Sequence, residues 1–92
     1  MSNVNHPSHY NKEGKKECIV AMQETFGVRF VIDFCLGNCY KYSYRRGSKA
    51  DNSYEQDTEK IKWYLDYATN LVQEYNLMKW YTAKLDFIRG LC

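Results

Sequence analysis

A segment near the middle of the chain, GNCYKYSYRRGSK (37–49), combines an amide, several cations and tyrosine rings. Four of these side chains follow the i, i+3, i+4, i+7 spacing that places residues on one face of a helix: Asn38, Lys41, Tyr42 and Arg45. A guanidinium matches the oxygens of a phosphate, and a lysine adds a point charge. Arg46 and Lys49 carry the positive charge further along the chain. The pattern predicts an anion-binding face; the alternative is a solvated basic face that packs against acidic residues of the last helix.

Both histidines of the chain lie in the segment HPSHY, residues 6–10. His6 and His9 are three residues apart, and Pro7 stiffens the backbone between them. Such a pair can hydrogen-bond a phosphate or a base, or change protonation near neutral pH. It can equally pack locally as an N-terminal clip. A metal site is not predicted there, because the chain has no further histidine to complete it.

The common motifs of nucleotide-binding enzymes do not occur in this sequence. It contains neither a GxxxxGK[ST] phosphate loop nor a GxGxxG segment. Any bound phosphate must therefore be held by side chains and helix ends. Ser8 lies beside the histidines but has no third member of a triad in view, so no catalytic residue is assigned.

The four cysteines, Cys18, Cys35, Cys39 and Cys92, do not have the spacing of a metal site. Cys35 and Cys39 are four residues apart in an apolar run, without the paired Cys-x2-Cys and His pattern of zinc modules. No secretory signal points to an oxidising compartment. The sequence predicts reduced, mostly buried thiols that act as small apolar residues.

Hydrophobic periodicity predicts an all-α protein of three to four helices in a single domain, 1–92. Residues 1–15 are polar and aperiodic and are predicted to form an N-terminal arm on a helical body, 16–92. The predicted helices span about 17–26, 28–46 and 57–75. The last either continues toward Gly90 or breaks near Asn76.

Apolar stripes on the two long predicted helices indicate how they pack. We expect the pair to be joined by six residues: Phe30, Phe34, Ile61, Leu65, Ala68 and Val72. Gly37 is a poor helix former in the middle of its helix. The sequence therefore predicts the close approach of another backbone or of a ligand at Gly37.

Composition limits the classes of partner. The net charge of +2 is too mild to favour nucleic acid as the partner. No apolar run approaches the roughly 20 residues of a membrane span, and the N-terminus has no signal-peptide core, which predicts a soluble, intracellular protein without a membrane partner. Aromatic residues make up 16% of the chain. That share exceeds what one small core can bury and predicts a homo-oligomer.

Three segments, in order, resemble the motifs of the SaV-like family of small bacteriophage proteins of unknown function. The segments are VNHPSHY, FCLGNCYKYSYRRGSK and DTEKIKWYL, and they cover residues 3–67. The family pattern is HPSHY, F-x-x-G-N-x-x-K-Y-x-x-R-x-G-x-K and D-x-x-K-x-x-W-Y-L. Carried over position by position, it adds Tyr10, Asp57 and Lys60 to the candidate ligand-binding residues.

This resemblance implies a phage or prophage origin and a location in the cytoplasm of the host cell. The family includes a phage protein described as a nucleoside monophosphate kinase without a phosphate loop. Another member makes its phage sensitive to a host abortive-infection system. The resemblance thus implies that the chain binds a nucleotide or another phosphorylated small molecule, and that the histidine arm folds over the Lys41 and Arg45 face.

Three further functions stay open at this level. A non-catalytic binder would sequester a nucleotide, such as a signal of host defence, with the same cations and with a base stacked on Tyr42, Tyr44 or Tyr10. A kinase-like phosphotransferase would use the same cations as a phosphate clamp and Asp57 to hold Mg²⁺, the one cofactor that this alternative implies. A non-catalytic interaction factor would instead engage a host defence protein through exposed tyrosine, tryptophan and arginine.

Overall fold

The computed structural model describes residues 16–48 and 53–92, and the elements in these ranges are four α-helices. They are α1 (Cys18–Phe26), α2 (Val28–Arg45), α3 (Tyr54–Glu74) and α4 (Met78–Arg89). The prediction of a small all-α protein is confirmed. The predicted arm, residues 1–15, lies outside the described residues. Within the described ranges, no helix is both long enough and apolar enough to cross a bilayer.

Single residues with left-handed backbone separate neighbouring helices. Gly27 has a φ of +96° and breaks the chain between α1 and α2. Asn76 has a φ of 58° and follows the end of α3, where the Leu77 N–H donates to the Val72 carbonyl at 2.8 Å. This hydrogen bond is the 6→1 bond of a Schellman motif, which ends a helix. The sequence left open whether the last helix continues or breaks near Asn76, and it breaks there.

A capping box begins α3 three residues before the predicted start at 57. The Gln56 N–H donates to Ser53 Oγ at 3.0 Å, and the Ser53 N–H donates to Gln56 Oε1 at 3.1 Å. The two bonds satisfy amide groups that the first turn of a helix leaves without backbone partners. The cap fixes where α3 starts and so places the first turn of α3 beside the end of α2.

The core lies between α2 and α3 and is closed on one side by α4. Its buried apolar side chains are Val31, Ile32, Cys35, Leu36 and Cys39 from α2, Ile61, Leu65, Ala68, Leu71 and Val72 from α3, and Tyr81, Leu85 and Ile88 from α4. No residue of α1 is fully buried; its Ile19 and Met22 pack against the core from the side. The predicted inward residues Ile61, Leu65, Ala68 and Val72 are confirmed.

The prediction that Phe30 and Phe34 fill this core is wrong. Their exposed fractions are 47% and 37%. A helix advances about 100° per residue, and the buried residues Val31 and Cys35 set the inward direction of α2. Phe30 and Phe34 share the outward row with Gly37.

The close backbone approach expected at Gly37 is also absent among the described residues. A Cβ built on Gly37 would meet no atom of theirs within 4 Å.

Candidate anion-binding site

Three cationic side chains converge on the ring of Tyr42. The distances to the ring centroid are 4.6 Å from Lys41 Nζ, 4.7 Å from the guanidinium carbon of Arg45 and 5.1 Å from Lys60 Nζ. Lys41 and Arg45 come from α2, one helical turn apart, while Lys60 comes from the second turn of α3. The face of a phenol ring attracts cations, so each contact is favourable alone. The three like charges nevertheless repel one another.

A buried carboxylate, that of Asp57, lies beneath two of these cations. Asp57 Oδ1 is 3.5 Å from Arg45 Nη2 and 3.9 Å from Lys60 Nζ. The Asp57 side chain is 1% exposed, whereas those of Arg45 and Lys60 are 26% and 23% exposed. Neither oxygen of this carboxylate accepts a hydrogen bond from a described residue. Asp57 therefore acts as a counter-charge held inside the protein while the cations reach solvent.

We call these side chains, Lys41, Tyr42, Arg45, Asp57 and Lys60, the cation cluster. With three positive charges and one negative charge, it carries a net charge of +2 among the described residues. The N-terminal end of α3 adds the partial positive charge of a helix dipole, which the partial negative charge at the C-terminal end of α2, next to Arg45, offsets. Partial burial strengthens the interactions of these charges, because their surroundings screen them less than open water does. The net charge of the cluster is opposite in sign and equal in size to that of an anion with two negative charges.

Aromatic rings continue from Tyr42 across α3. Tyr42 stacks on Tyr64, with centroids 6.1 Å apart and planes 17° apart. Phe34 and Trp63 meet Tyr64 edge-on at 6.2 Å and 5.0 Å, and Trp63 contacts Tyr67 at 5.2 Å. Burial, together with the nearby Tyr42 phenol, raises the pKa of Tyr64, so this phenol is neutral at physiological pH. We call Phe34, Trp63, Tyr64 and Tyr67 the aromatic strip; flat, part-exposed rings of this kind can stack against a base.

The structure separates Arg46 from the predicted site. Arg46 donates to Thr58 Oγ1 at 3.0 Å and to the Leu91 carbonyl at 2.7 Å, and it lies 4.5 Å from the centre of the Tyr54 ring. These contacts tie the end of α2 to α3 and to the segment after α4. Arg46 is therefore a structural residue within the described part of the protein.

The remaining predicted site residues fall into two groups. Asn38 lies half-buried on α2, one turn before Lys41 and Tyr42. Four others lie outside the described residues, and their place in a site stays a prediction: His6, His9, Tyr10 and Lys49.

A family model matches residues 4–66 of the chain, and the family is described as a protein of unknown function, DUF3310. The chain belongs to the DUF3310 family. The whole cation cluster and the Tyr64 ring lie within the matched range, whereas α4 lies outside it. No curated protein and no solved structure gives a significant match to the chain.

Residue spacing alone did not assign Lys60 and Tyr64 to the site of this DUF3310 protein, although the sequence contains a signal for them. Asp57, Lys60 and Tyr64 follow an i, i+3, i+7 pattern, which places them on one face of α3. The same face carries the buried Ile61, so it must meet α2. Combining the two helical faces would have predicted the cation cluster.

The cluster does not offer Asp57 as an open metal ligand, because its carboxylate already faces two cations. Among residues 16–48 and 53–92, no group of three or more His, Cys, Asp or Glu side chains could hold a metal ion. What the geometry supports chemically is electrostatic binding of an anion, with aromatic rings beside it.

Proposed function

We propose that this DUF3310 protein binds a phosphorylated small molecule at the cation cluster, with the phosphate beside Arg45 and Lys60. The observation that carries the proposal is the convergence of three cations on Tyr42, with one buried carboxylate beside two of them. A phosphate monoester carries about two negative charges at neutral pH. Its binding would offset the net charge of +2 in the cluster.

The aromatic strip supports a nucleotide as the ligand class. A phosphate held by Arg45 would leave an attached base close to Tyr42 and Tyr64, whose stacked rings run away from the cations. Stacking of one base on an aromatic side chain contributes about 1–3 kcal/mol. The resemblance to SaV-like phage proteins supports the same class, and with it a phage origin and a location in the host cytoplasm.

Calorimetry with four probes tests this proposal: a nucleoside monophosphate, a nucleoside triphosphate, inorganic phosphate and the unphosphorylated nucleoside. We expect the phosphorylated nucleosides to bind and the nucleoside to bind at least tenfold more weakly. Binding of inorganic phosphate alone would support the anion site without the base. The proposal is wrong if no phosphorylated probe binds the parent protein.

Arg45 is the residue whose replacement should matter most. Hydrogen bonds to charged groups contribute roughly 1.5–3 kcal/mol, so Arg45→Ala should weaken phosphate binding by about tenfold or more. Arg45→Lys keeps the charge but loses the planar fork and should recover part of the loss. Arg89→Ala is the matched control, because Arg89 is also ion-paired, to Asp86 at 2.8 Å, but lies on α4. Equal binding by the Arg45→Ala and Arg89→Ala variants would contradict the proposal.

A kinase-like phosphotransferase is the second candidate, and it rests on the resemblance. It requires a second nucleotide subsite and Mg²⁺, and the counter-ion geometry of Asp57 does not favour metal binding there. Incubation of the protein with ATP, Mg²⁺ and nucleoside monophosphates tests this candidate directly. Appearance of nucleoside diphosphate would establish it, and an unaltered, bound nucleotide would favour a binding function.

An interaction factor for a host defence protein is the third candidate. The observation that favours it is the number of exposed aromatic side chains on α2 and α4, Trp80 and Phe87 among them. A pull-down from host lysate that is insensitive to Arg45→Ala but lost on Trp80→Ala would separate this function from phosphate binding.

A further inference from the structure

The outward face of α2 carries four aromatic side chains arranged around a glycine. The exposed fractions are 47% for Phe30, 37% for Phe34, 55% for Tyr40 and 83% for Tyr44. Gly37 lies midway along this row, and a Cβ there would meet no described atom within 4 Å. Aromatic rings exposed side by side are typical of protein interfaces rather than of free surfaces. A glycine between them lets another helix come close.

The residues of this face are spaced symmetrically about Gly37. Phe30 lies seven residues before Gly37 and Tyr44 lies seven after it, while Phe34 and Tyr40 each lie three residues away. When two identical helices pair in opposite directions across Gly37, each position meets its mirror position. Phe30 then faces Tyr44 of the partner subunit, and Phe34 faces Tyr40 of the partner subunit.

Two oppositely charged residues on the same face are also placed symmetrically about Gly37. Asp33 and Lys41 are both exposed and lie four residues on either side of Gly37. Within its own subunit, Asp33 Oδ1 accepts a hydrogen bond from the Tyr81 hydroxyl at 2.9 Å, and Lys41 Nζ lies over the Tyr42 ring. In the antiparallel pairing, Asp33 faces Lys41 of the partner subunit, and the twofold axis repeats this contact. Opposite charges therefore meet twice, whereas a parallel pairing would bring each charge next to its own copy. This charge complementarity favours a second copy of the chain as the partner.

We propose that α2 pairs with α2 of a second copy in an antiparallel, twofold-symmetric dimer centred on Gly37. A twofold interface uses the same patch on both subunits, which the mirror spacing of this face satisfies. The glycine lies on the axis, where the two backbones come closest.

A groove beside α2 would accept part of the partner. It has a volume of about 410 Å³ and is lined by Gly37 and Tyr40 on one side and Ala83 and Phe87 on the other. Tyr40, which lines this groove, faces Phe34 of the partner subunit across the twofold axis. Burial of Phe34 and Phe87 would supply the hydrophobic part of the association.

The like-charged pair that is symmetric about Gly37, Arg29 and Arg45, does not oppose this dimer. Arg29 lies over the ring of its own Trp80 at 5.6 Å, and Arg45 lies beside its own Asp57. Both guanidinium charges therefore have partners within their own subunit. The dimer does not depend on phosphate binding, so either proposal can fail while the other stands.

Sedimentation analysis over a range of concentrations, combined with a charge-exchange series, tests the dimer. We expect the parent to associate to twice its 11.0 kDa mass. Asp33→Lys and Lys41→Asp should each weaken dimerisation at least tenfold, because each variant creates two like-charged contacts. The double variant D33K/K41D should restore dimerisation to within about threefold of the parent, because the charges are opposite again. Asp66→Lys on the exposed face of α3 is the matched control and should leave association unchanged.

Substitution at the proposed axis gives an independent test. Gly37→Leu places a bulky side chain where the two helices are closest, and we expect it to abolish dimerisation while circular dichroism shows an intact helical fold. Gln73→Leu adds the same side chain to an exposed position of α3 and should not affect association. The proposal is overturned if the parent is monomeric throughout. It is also overturned if its dimer survives Gly37→Leu, or if the double charge variant stays as weak as the single ones.

Discussion

At the scale of single residues, Asp57 is the least expected feature of the core. It is fully buried, and its ion pairs with Arg45 and Lys60 are longer than strong charged hydrogen bonds. Buried ion pairs with imperfect geometry contribute little to stability, because desolvation offsets the attraction. Instead, the Asp57 carboxylate offsets the repulsion between Arg45 and Lys60 and so keeps these two cations close together at the surface.

We predict that Asp57→Asn destabilises the fold by about 1–3 kcal/mol, because the cations then face one another without a counter-charge. Added salt at about 1 M screens exposed charges within about 3 Å and should reduce that loss. Urea denaturation at low and high salt measures both effects. Asp86→Asn removes the carboxylate of an exposed ion pair with Arg89 and should change stability by less than about 1 kcal/mol. A variant at Asp57 as stable as the parent would contradict the counter-ion role.

The two core thiols give the protein a predicted alkaline pH dependence. Burial raises the pKa of both Cys35 and Cys39 from the usual 9.0 to about 12. The folded state thus keeps these protons while the unfolded chain loses them above pH 9. Their contribution to stability is complete below pH 9 and is lost as pH rises toward 12, by up to about 1.4 kcal/mol per pH unit for each thiol.

The measurement compares the parent with Cys35→Ala across this alkaline range. The variant should be less stable at pH 7, because it leaves a small cavity, but its stability should fall less steeply with pH. The comparison cancels the titration of tyrosines and lysines, which both proteins share. Parallel pH profiles would show that Cys35 does not contribute.

At the scale of helices, two glycines have different roles. Gly27 is needed for its backbone conformation, whereas Gly37 lies at an open surface. Gly27 has a φ of +96°, which side chains rarely tolerate, whereas Gly37 lies inside α2 with open space around it. We predict that Gly37→Ala raises the free energy of unfolding by about 0.5–1 kcal/mol through helix propensity. Gly27→Ala should lower it by about 1–3 kcal/mol through backbone strain.

Thermal unfolding at a protein concentration too low for association measures both changes on the same fold. Destabilisation of α2 by Gly37→Ala would mean that the helix needs a glycine there. The opposite signs expected for the two substitutions make each variant the control of the other.

Hydrophobic periodicity predicted the helices, but residue size did not predict which face of α2 is buried. The apolar stripe of α3 correctly placed Ile61 and Leu65 inward. Phe30 and Phe34 look like core residues, yet their row also contains Gly37, which has no side chain to bury. The smaller Cys35 fills the core instead. The sequence left two options at Asn76, a continuous helix or a break. It did not decide between them, because the left-handed backbone and the Leu77 hydrogen bond depend on tertiary packing.

At the scale of the whole molecule, residue spacing predicted only one half of the candidate site. The spacing of Lys41, Tyr42 and Arg45 predicted one wall, since all three lie on a single helix. The opposite wall, Asp57 and Lys60, depends on how α3 packs on α2, and spacing within one helix does not contain that information. Both residues were predicted for the site only through the resemblance to the SaV-like family. Arg46 was assigned to the site because its charge is adjacent in sequence, although it faces Thr58.

Lys41 belongs to both proposals, and this predicts a coupling between ligand and assembly. In the proposed dimer, Lys41 faces Asp33 of the partner subunit, which would neutralise part of the positive charge of the cation cluster. The monomer should therefore bind a phosphate dianion more tightly than the dimer does. Because linkage is reciprocal, the ligand must weaken dimerisation by the same factor. An exposed ion pair contributes up to about 1 kcal/mol, so the expected factor is about twofold to fivefold.

Sedimentation with and without saturating nucleotide measures this coupling, and Asp33→Asn should abolish it while the ligand still binds. Nucleotide-strengthened dimerisation would instead mean that the partner supplies positive charge to the site.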